Sequence, residues 1–152
     1  MNNHLEIPAI HYRTYIKAPP PKVFAAISTA EGWNSWFTQA STGDFRLGGM
    51  ITLRWQNWGV DHESLVTESV IPDFEPNHKF SFYWAAGTKN SKVTFQLDAH
   101  GDGTIVTVTD SGHGTTQRDL EVVVSCACGW GEALTLLKFY LEYGITYGDV
   151  PI

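Results

Sequence analysis

Residues 120–144 read LEVVVSCACGWGEALTLLKFYLEYG. Leu120, Val123, Ala127, Trp130, Leu134, Leu137 and Leu141 step through this stretch by three and four, while Glu121, Glu132, Lys138 and Glu142 fall off the stripe. That spacing closes on one face of a 3.6-residue turn and predicts a long amphipathic helix with its stripe turned to a core. Thr116, with Asp119 three residues on, resembles a capping box in which Asp replaces the usual Glu. Gly144 supplies the stop. A helix of about 25 residues runs about 38 Å, enough to cross a whole sheet. Gly129 and Gly131 flank Trp130. Each costs a helix about 1 kcal/mol relative to Ala, so a bend or a close packing contact is expected there.

Upstream of the helix the period changes to two. In residues 10–17, Ile10, Tyr12 and Ile16 alternate with His11, Arg13 and Lys17, the pattern of a half-buried strand. Pro19-Pro20-Pro21 ends it and opens a short helix at Val23–Ile27. A second short helical turn carries Trp33, Trp36 and Phe37 at i, i+3 and i+4, on one face. Gly48-Gly49 then marks a hairpin before Ile51, Leu53 and Trp55. Further strands are read at Leu65–Ile71, at Phe80, Phe82 and Trp84, at Val93, Phe95 and Leu97, and from Ile105 to Asp110. Gly101-Asp102-Gly103 turns between the last two. The pattern predicts an α+β protein. A curved antiparallel sheet of about six to seven strands wraps the C-terminal helix, and two short helices follow the first strand.

The 152 residues fit one domain, 1–152. With 43% hydrophobic and 17% charged residues the balance is that of a globular chain. Six Trp, six Tyr and eight Phe are the unusual feature, and call for either a heavy core or an aromatic-lined cavity. A net charge of -6 with no two basic residues adjacent argues against nucleic-acid and anionic-membrane binding. No apolar stretch approaches the ~20 residues of a membrane span, so stable insertion is not expected. The N-terminus has no basic region followed by an apolar block, so the reading is cytoplasmic. Cys126 and Cys128 are spaced for neither a disulfide nor zinc, and are read as buried, reduced thiols.

The order of elements resembles the START-like helix-grip fold, also called the SRPBCC or birch-pollen-allergen fold. Within it the chain is similar to the family homologous to the C-terminal domain of the activator of the ninety-kilodalton heat-shock protein ATPase. The carrying segments are Ile16–Phe24, Thr29-Ala30-Glu31 leading to Trp36-Phe37, Pro76 with Phe80–Trp84, Gly103-Thr104, and Gly129-Trp130-Gly131 leading to Leu134, Leu137 and Leu141. The resemblance implies a cavity between sheet and helix, and a chaperone as one class of partner, with stress response and lipid binding among the functions. Two features depart from the family. The separate N-terminal domain of the eukaryotic activator has no counterpart in these 152 residues, and Asp110 stands where relatives place a His near the end of the last strand.

Alternation and the resemblance together nominate a ligand site. Trp55, Phe82, Trp84, Phe95, Val106 and Val108 face inward from strands, Trp130, Leu134 and Leu137 from the helix, and Trp33, Trp36 and Phe37 sit at the mouth. Each is equally a core residue. Asp110 shares the inward face of Val106 and Val108, where a carboxylate would serve as general acid or ligand anchor, or cap the turn at Ser111-Gly112. His11, His62, His78, His100 and His113 lack metal spacing and read as solvated; Asp61-His62-Glu63 alternates faces. No catalytic motif, metal site or cofactor fingerprint is present. Three functions follow. The first is binding of a small hydrophobic or aromatic ligand as carrier or sensor. The second is a chaperone-associated interaction module, with a homodimer compatible with either. The third is a cyclase or dehydratase, which needs an acid/base pair in the cavity.

Overall fold

The computed structural model describes residues 6–85 and 87–147. The chain order is β1 (Ile10–Ile16), α1 (Pro20–Ile27), α2 (Ala30–Trp36), β2 (Thr42–Gly43), β3 (Met50–Trp58), β4 (Glu63–Val70), β5 (Phe74–Glu75), β6 (Lys79–Trp84), β7 (Ser91–His100), β8 (Gly103–Ser111) and α3 (Gln117–Tyr143). The strands form two antiparallel sheets, ordered β1-β8-β7-β6-β5 and β2-β3-β4. β8 is an inner strand, pairing Val108 with Tyr12 of β1 on one side and with Phe95 of β7 on the other. The sheets meet where the Tyr83 N–H of β6 donates to Ser69 Oγ of β4 at 2.8 Å. A side chain thus continues the surface where the backbone ladder stops.

The two short helices close one end of the fold. Pro20 and Pro21 occupy the first turn of α1, where no N–H is needed. Thr29 caps α2, its hydroxyl accepting from the Gly32 N–H at 2.9 Å. The last carbonyls of α1 would be left bare, and α2 supplies the donors. Trp33 Nε1 donates to Ile27 O at 2.7 Å and Trp36 Nε1 to Ala26 O at 2.9 Å. Gly32 makes this approach possible, because a Cβ there would stand 2.5 Å from Ala25 O. Trp33 and Trp36 are therefore fully buried, which corrects the expectation that they lie at a cavity mouth. Their polar edge is used on α1 and their rings enter the core.

α3 is one unbroken helix through Gly129 and Gly131. The capping box is present: Thr116 Oγ1 accepts from the Asp119 N–H, and the Asp119 carboxylate accepts from the Thr116 N–H. The same carboxylate accepts from the N–H and hydroxyl of Thr88, tying the loop before β7 to the helix. Gly144, at φ +70°, ends α3 in the left-handed region.

The stripe is only half gripped. Trp130, Leu134, Leu137 and Leu141 are buried, but Ala127 is exposed and Leu120 is 45% exposed. A cavity lies beside the first turns of α3, so part of the predicted stripe is not packed there. The helix also corrects the membrane-span count. By length and composition alone α3 is apolar enough to cross a bilayer, with mean hydropathy 1.5 over its most apolar window and 28% of that window buried. Its C-terminal half is nonetheless packed on the sheet as a core helix.

Two outcomes follow. Trp130→Ala should cost about 3–5 kcal/mol in a urea denaturation series, as removal of a fully enclosed aromatic does. A loss below about 0.5 kcal/mol would mean that the ring is not held by the core. The second concerns acid. Hydrogen bonds from the Thr88 N–H, then from Thr116 and the Thr88 hydroxyl, hold the Asp119 carboxyl well below the usual carboxylate range. A depressed folded-state value makes its stabilisation complete above the unfolded value of about 3.9 and lost as pH falls below it. Thermal melts at decreasing pH should therefore show an acid limb below about pH 4 that is flatter in Asp119→Asn.

Candidate functional site

A cavity of about 390 Å³ opens between the first half of α3 and the β3–β4 hairpin. That size falls in the range of small-molecule sites. One wall is aromatic. Phe37, at the end of α2, packs edge-on against Trp55 (centroids 5.3 Å) and Trp58 (5.6 Å) of β3. Trp55 reaches Trp84 of β6 at 6.2 Å, and Trp84 reaches Trp130 of α3 at 5.3 Å. The other side is aliphatic and small, with Val122, Ser125, Cys126 and Gly129 of α3 facing Leu65 of β4. Arg118 and Glu63 are the charged side chains of the lining, and both are exposed.

Trp58 reaches this wall through a β-bulge. Trp55 pairs with Leu65 and Trp58 with Glu63, so three steps on β3 oppose two on β4. Asn57 takes up the extra residue at φ +50°. Strict alternation would send residue 58 to the opposite face from residue 55; the bulge returns it. The indole N–H groups of Trp55 and Trp58 are buried with no acceptor among the described residues.

Asp110 lies behind the wall. It is fully buried, and Oδ2 accepts from Trp84 Nε1 at 3.2 Å and from Trp130 Nε1 at 3.1 Å. Oδ1 lies 3.3 Å from Nε2 of His113, whose side chain is 3% exposed. The contact is ionic when the imidazole carries a proton, and is not aligned as a hydrogen bond. His113 is thus not solvated, which corrects the reading of its loop position. The turn after β8 folds it back beneath α3.

The structure divides the nominated residues. Phe37, Trp55, Trp84 and Trp130 line the cavity. Trp33, Trp36, Phe82, Phe95, Val106, Val108, Leu134 and Leu137 are fully buried core. Trp33 fills the space between sheet and helix, meeting Phe82 at 5.6 Å and Phe95 at 5.9 Å. The open volume is displaced toward the hairpin and the start of α3. Sequence reading missed Trp58, Leu65, Arg118, Val122, Cys126 and Gly129. The spacing of Arg118, Val122, Ser125 and Gly129 along one helical face was the available signal for the α3 set. Among the described residues no three His, Cys, Asp or Glu side chains cluster as a metal site.

A sheet gripping a long C-terminal helix, with a lateral cavity between them, defines a START-like helix-grip protein. The sequence profile described as Activator of Hsp90 ATPase homolog 1-like protein matches residues 17–142, and the chain belongs to that family. Solved structures agree. Protein SSP2350 of Staphylococcus saprophyticus is 25% identical with TM-score 0.76, covering 94% of this chain and 98% of that one. The Aha1 dimer of Colwellia psychrerythraea is 27% identical with TM-score 0.71, covering 91% and 98%. CalU16 of Micromonospora echinospora is 25% identical with TM-score 0.70, covering 90% and 77%. No curated protein matches by sequence.

The cysteines separate by environment. Both are free, and Cys128 is exposed rather than buried, because it points off the cavity face of α3. Burial pushes the Cys126 thiol up to about 12, with the charges of Asp110 and Glu63 acting in the same direction. The thiolate is the reactive form. At pH 8 a maleimide should therefore modify Cys128 well before Cys126, as read by peptide mass spectrometry, and denaturant should remove the difference. Equal rates in the folded protein would contradict the enclosure of Cys126.

Proposed function

We propose that this protein binds a small, mainly apolar, aromatic ligand in the cavity between α3 and the β3–β4 hairpin. The observation that carries the reading is the 390 Å³ opening walled by Phe37, Trp55, Trp58, Trp84 and Trp130. Covering such a wall gains about 25 cal/mol per Å² of apolar surface before ordering costs. A ligand oxygen brought to the bare indole donors of Trp55 or Trp58 would add to this, since buried donors without partners are costly. Asp110 serves the site from behind by orienting two of the rings. Binding without turnover is favoured over a cyclase or dehydratase because Asp110 and His113, the buried acid/base pair, lie beneath Trp84 and Trp130 and not among the lining side chains.

A second reading rests on exposed apolar side chains. Val60 is 81% exposed, Val124 59% and Val66 55%, side chains that would suit a protein partner, whether another copy of the chain or a chaperone. The Colwellia relative is described as a dimer. Sedimentation of the purified chain, and of Val60→Asp, tests it: a monomer at all concentrations would remove the self-association form of this reading.

The ligand reading is tested by tryptophan fluorescence during titration with flavonoids, fatty acids and an anilinonaphthalene sulfonate dye. Saturable quenching with Kd tighter than about 1 mM is expected. Arg118→Glu should weaken the anionic dye about three- to tenfold, the scale of one exposed charge contact, and leave neutral flavonoids within about twofold. No saturable binding by any probe would overturn the proposal.

A further inference from the structure

The glycines of this chain are nearly all explained by local structure. Each described glycine outside α3 has either a left-handed φ or a neighbouring atom less than 3.0 Å from where a Cβ would stand. The two inside α3 are different. At Gly131 a Cβ would make an ordinary 3.7 Å contact with the Tyr12 ring on β1. At Gly129 it would meet nothing within 4 Å. A helix interior disfavours glycine relative to alanine, so neither position is glycine for the sake of the helix. Gly129 alone lines the cavity, one to three turns beyond Cys126, Val122 and Arg118 on the same face.

Resting on the cavity reading above, we infer that Gly129 is the residue that sets ligand size and shape, and that the ligand is a planar aromatic ring system seated with one face on the bare helix backbone at Gly129. Without a Cβ, the helix presents a flat patch of main chain at that point, the arrangement that lets a backbone approach a ligand closely. The rings of Phe37, Trp55 and Trp84 line the same cavity from elements other than α3. A slot with aromatic faces on one side and bare backbone on the other is filled best by a flat body. A branched or puckered one would leave gaps on the helix side. Any side chain at 129 enters the slot itself, because the space in front of it is open.

The experiment compares wild type with Gly129→Ala, Gly129→Leu and Gly131→Ala. Isothermal titration calorimetry uses alizarin red S, a fused anthraquinone dye, as the planar probe and decanoate as the flexible one, with thermal melts in parallel. Both alanine variants should melt at or above the wild-type temperature, since both gain helix propensity. Dye affinity should fall about threefold or more in Gly129→Ala and about tenfold or more in Gly129→Leu, and stay within about twofold in Gly131→Ala. Dye binding by Gly129→Leu within about twofold of wild type would overturn the placement at Gly129 while leaving the cavity reading intact. Wild type binding decanoate and not the dye would overturn the planar class alone. Wild type binding neither would overturn both.

Discussion

The Asp110 carboxylate is the point on which the architecture turns. A fully buried carboxyl group is costly unless polar groups meet it, and here they come from three different elements. Trp84 arrives from β6, Trp130 from α3, and His113 from the turn that leads from β8 into α3. Both hydrogen-bond donors, Trp84 and Trp130, are indoles, so holding one carboxylate oxygen fixes the planes of two large rings. Those rings then become cavity wall. The polar requirement of a single side chain at the end of an inner strand thereby sets the geometry of an apolar site.

The same clamp explains why α3 has two characters. From Trp130 onward the helix lies on the sheet, with Leu134 and Leu137 fully enclosed. At its other end the Asp119 carboxylate binds it to Thr88 and Thr116. Between these two fixings, residues 120–129 span a gap in which Val123 is the buried contact. A helix is stiff over this length because every interior residue is held by backbone hydrogen bonds. The sheet therefore need not support it from below, and space persists without collapse of the element above it.

Much of the fold was legible because it rests on periodicity. The three-four stripe, the alternating strands, the Gly48-Gly49 hairpin and the Thr116 cap all lie where local chemistry places them, and they carried the resemblance to the family. What periodicity could not give was the distribution of volume. Trp33 and Phe37 share a helical face in the sequence, yet Trp33 fills the core and Phe37 faces the cavity. The difference comes from the indole N–H of Trp33 seeking Ile27 O. Trp58 was hidden by the bulge at Asn57, a backbone event with no apolar signature. His113 was hidden because a histidine between two glycines looks solvated until its loop is folded against Asp110. Inward orientation was readable; whether an inward side chain meets another or meets space was not.

The aromatic content now has a physical division. Trp33, Trp36, Phe80, Phe82 and Phe95 form a ring-packed core at the end closed by α1 and α2, where every ring is fully enclosed by edge-to-face, tilted and stacked contacts. Phe37, Trp55, Trp84 and Trp130 continue that mesh outward and stop at the gap under α3. The wall is the edge of the core: Phe37 stacks on Trp33, and Trp84 and Trp130 are held by Asp110. A pocket lined by free surface aromatics would close on itself to bury them. This one stays open because every ring on its wall is already packed on its far side.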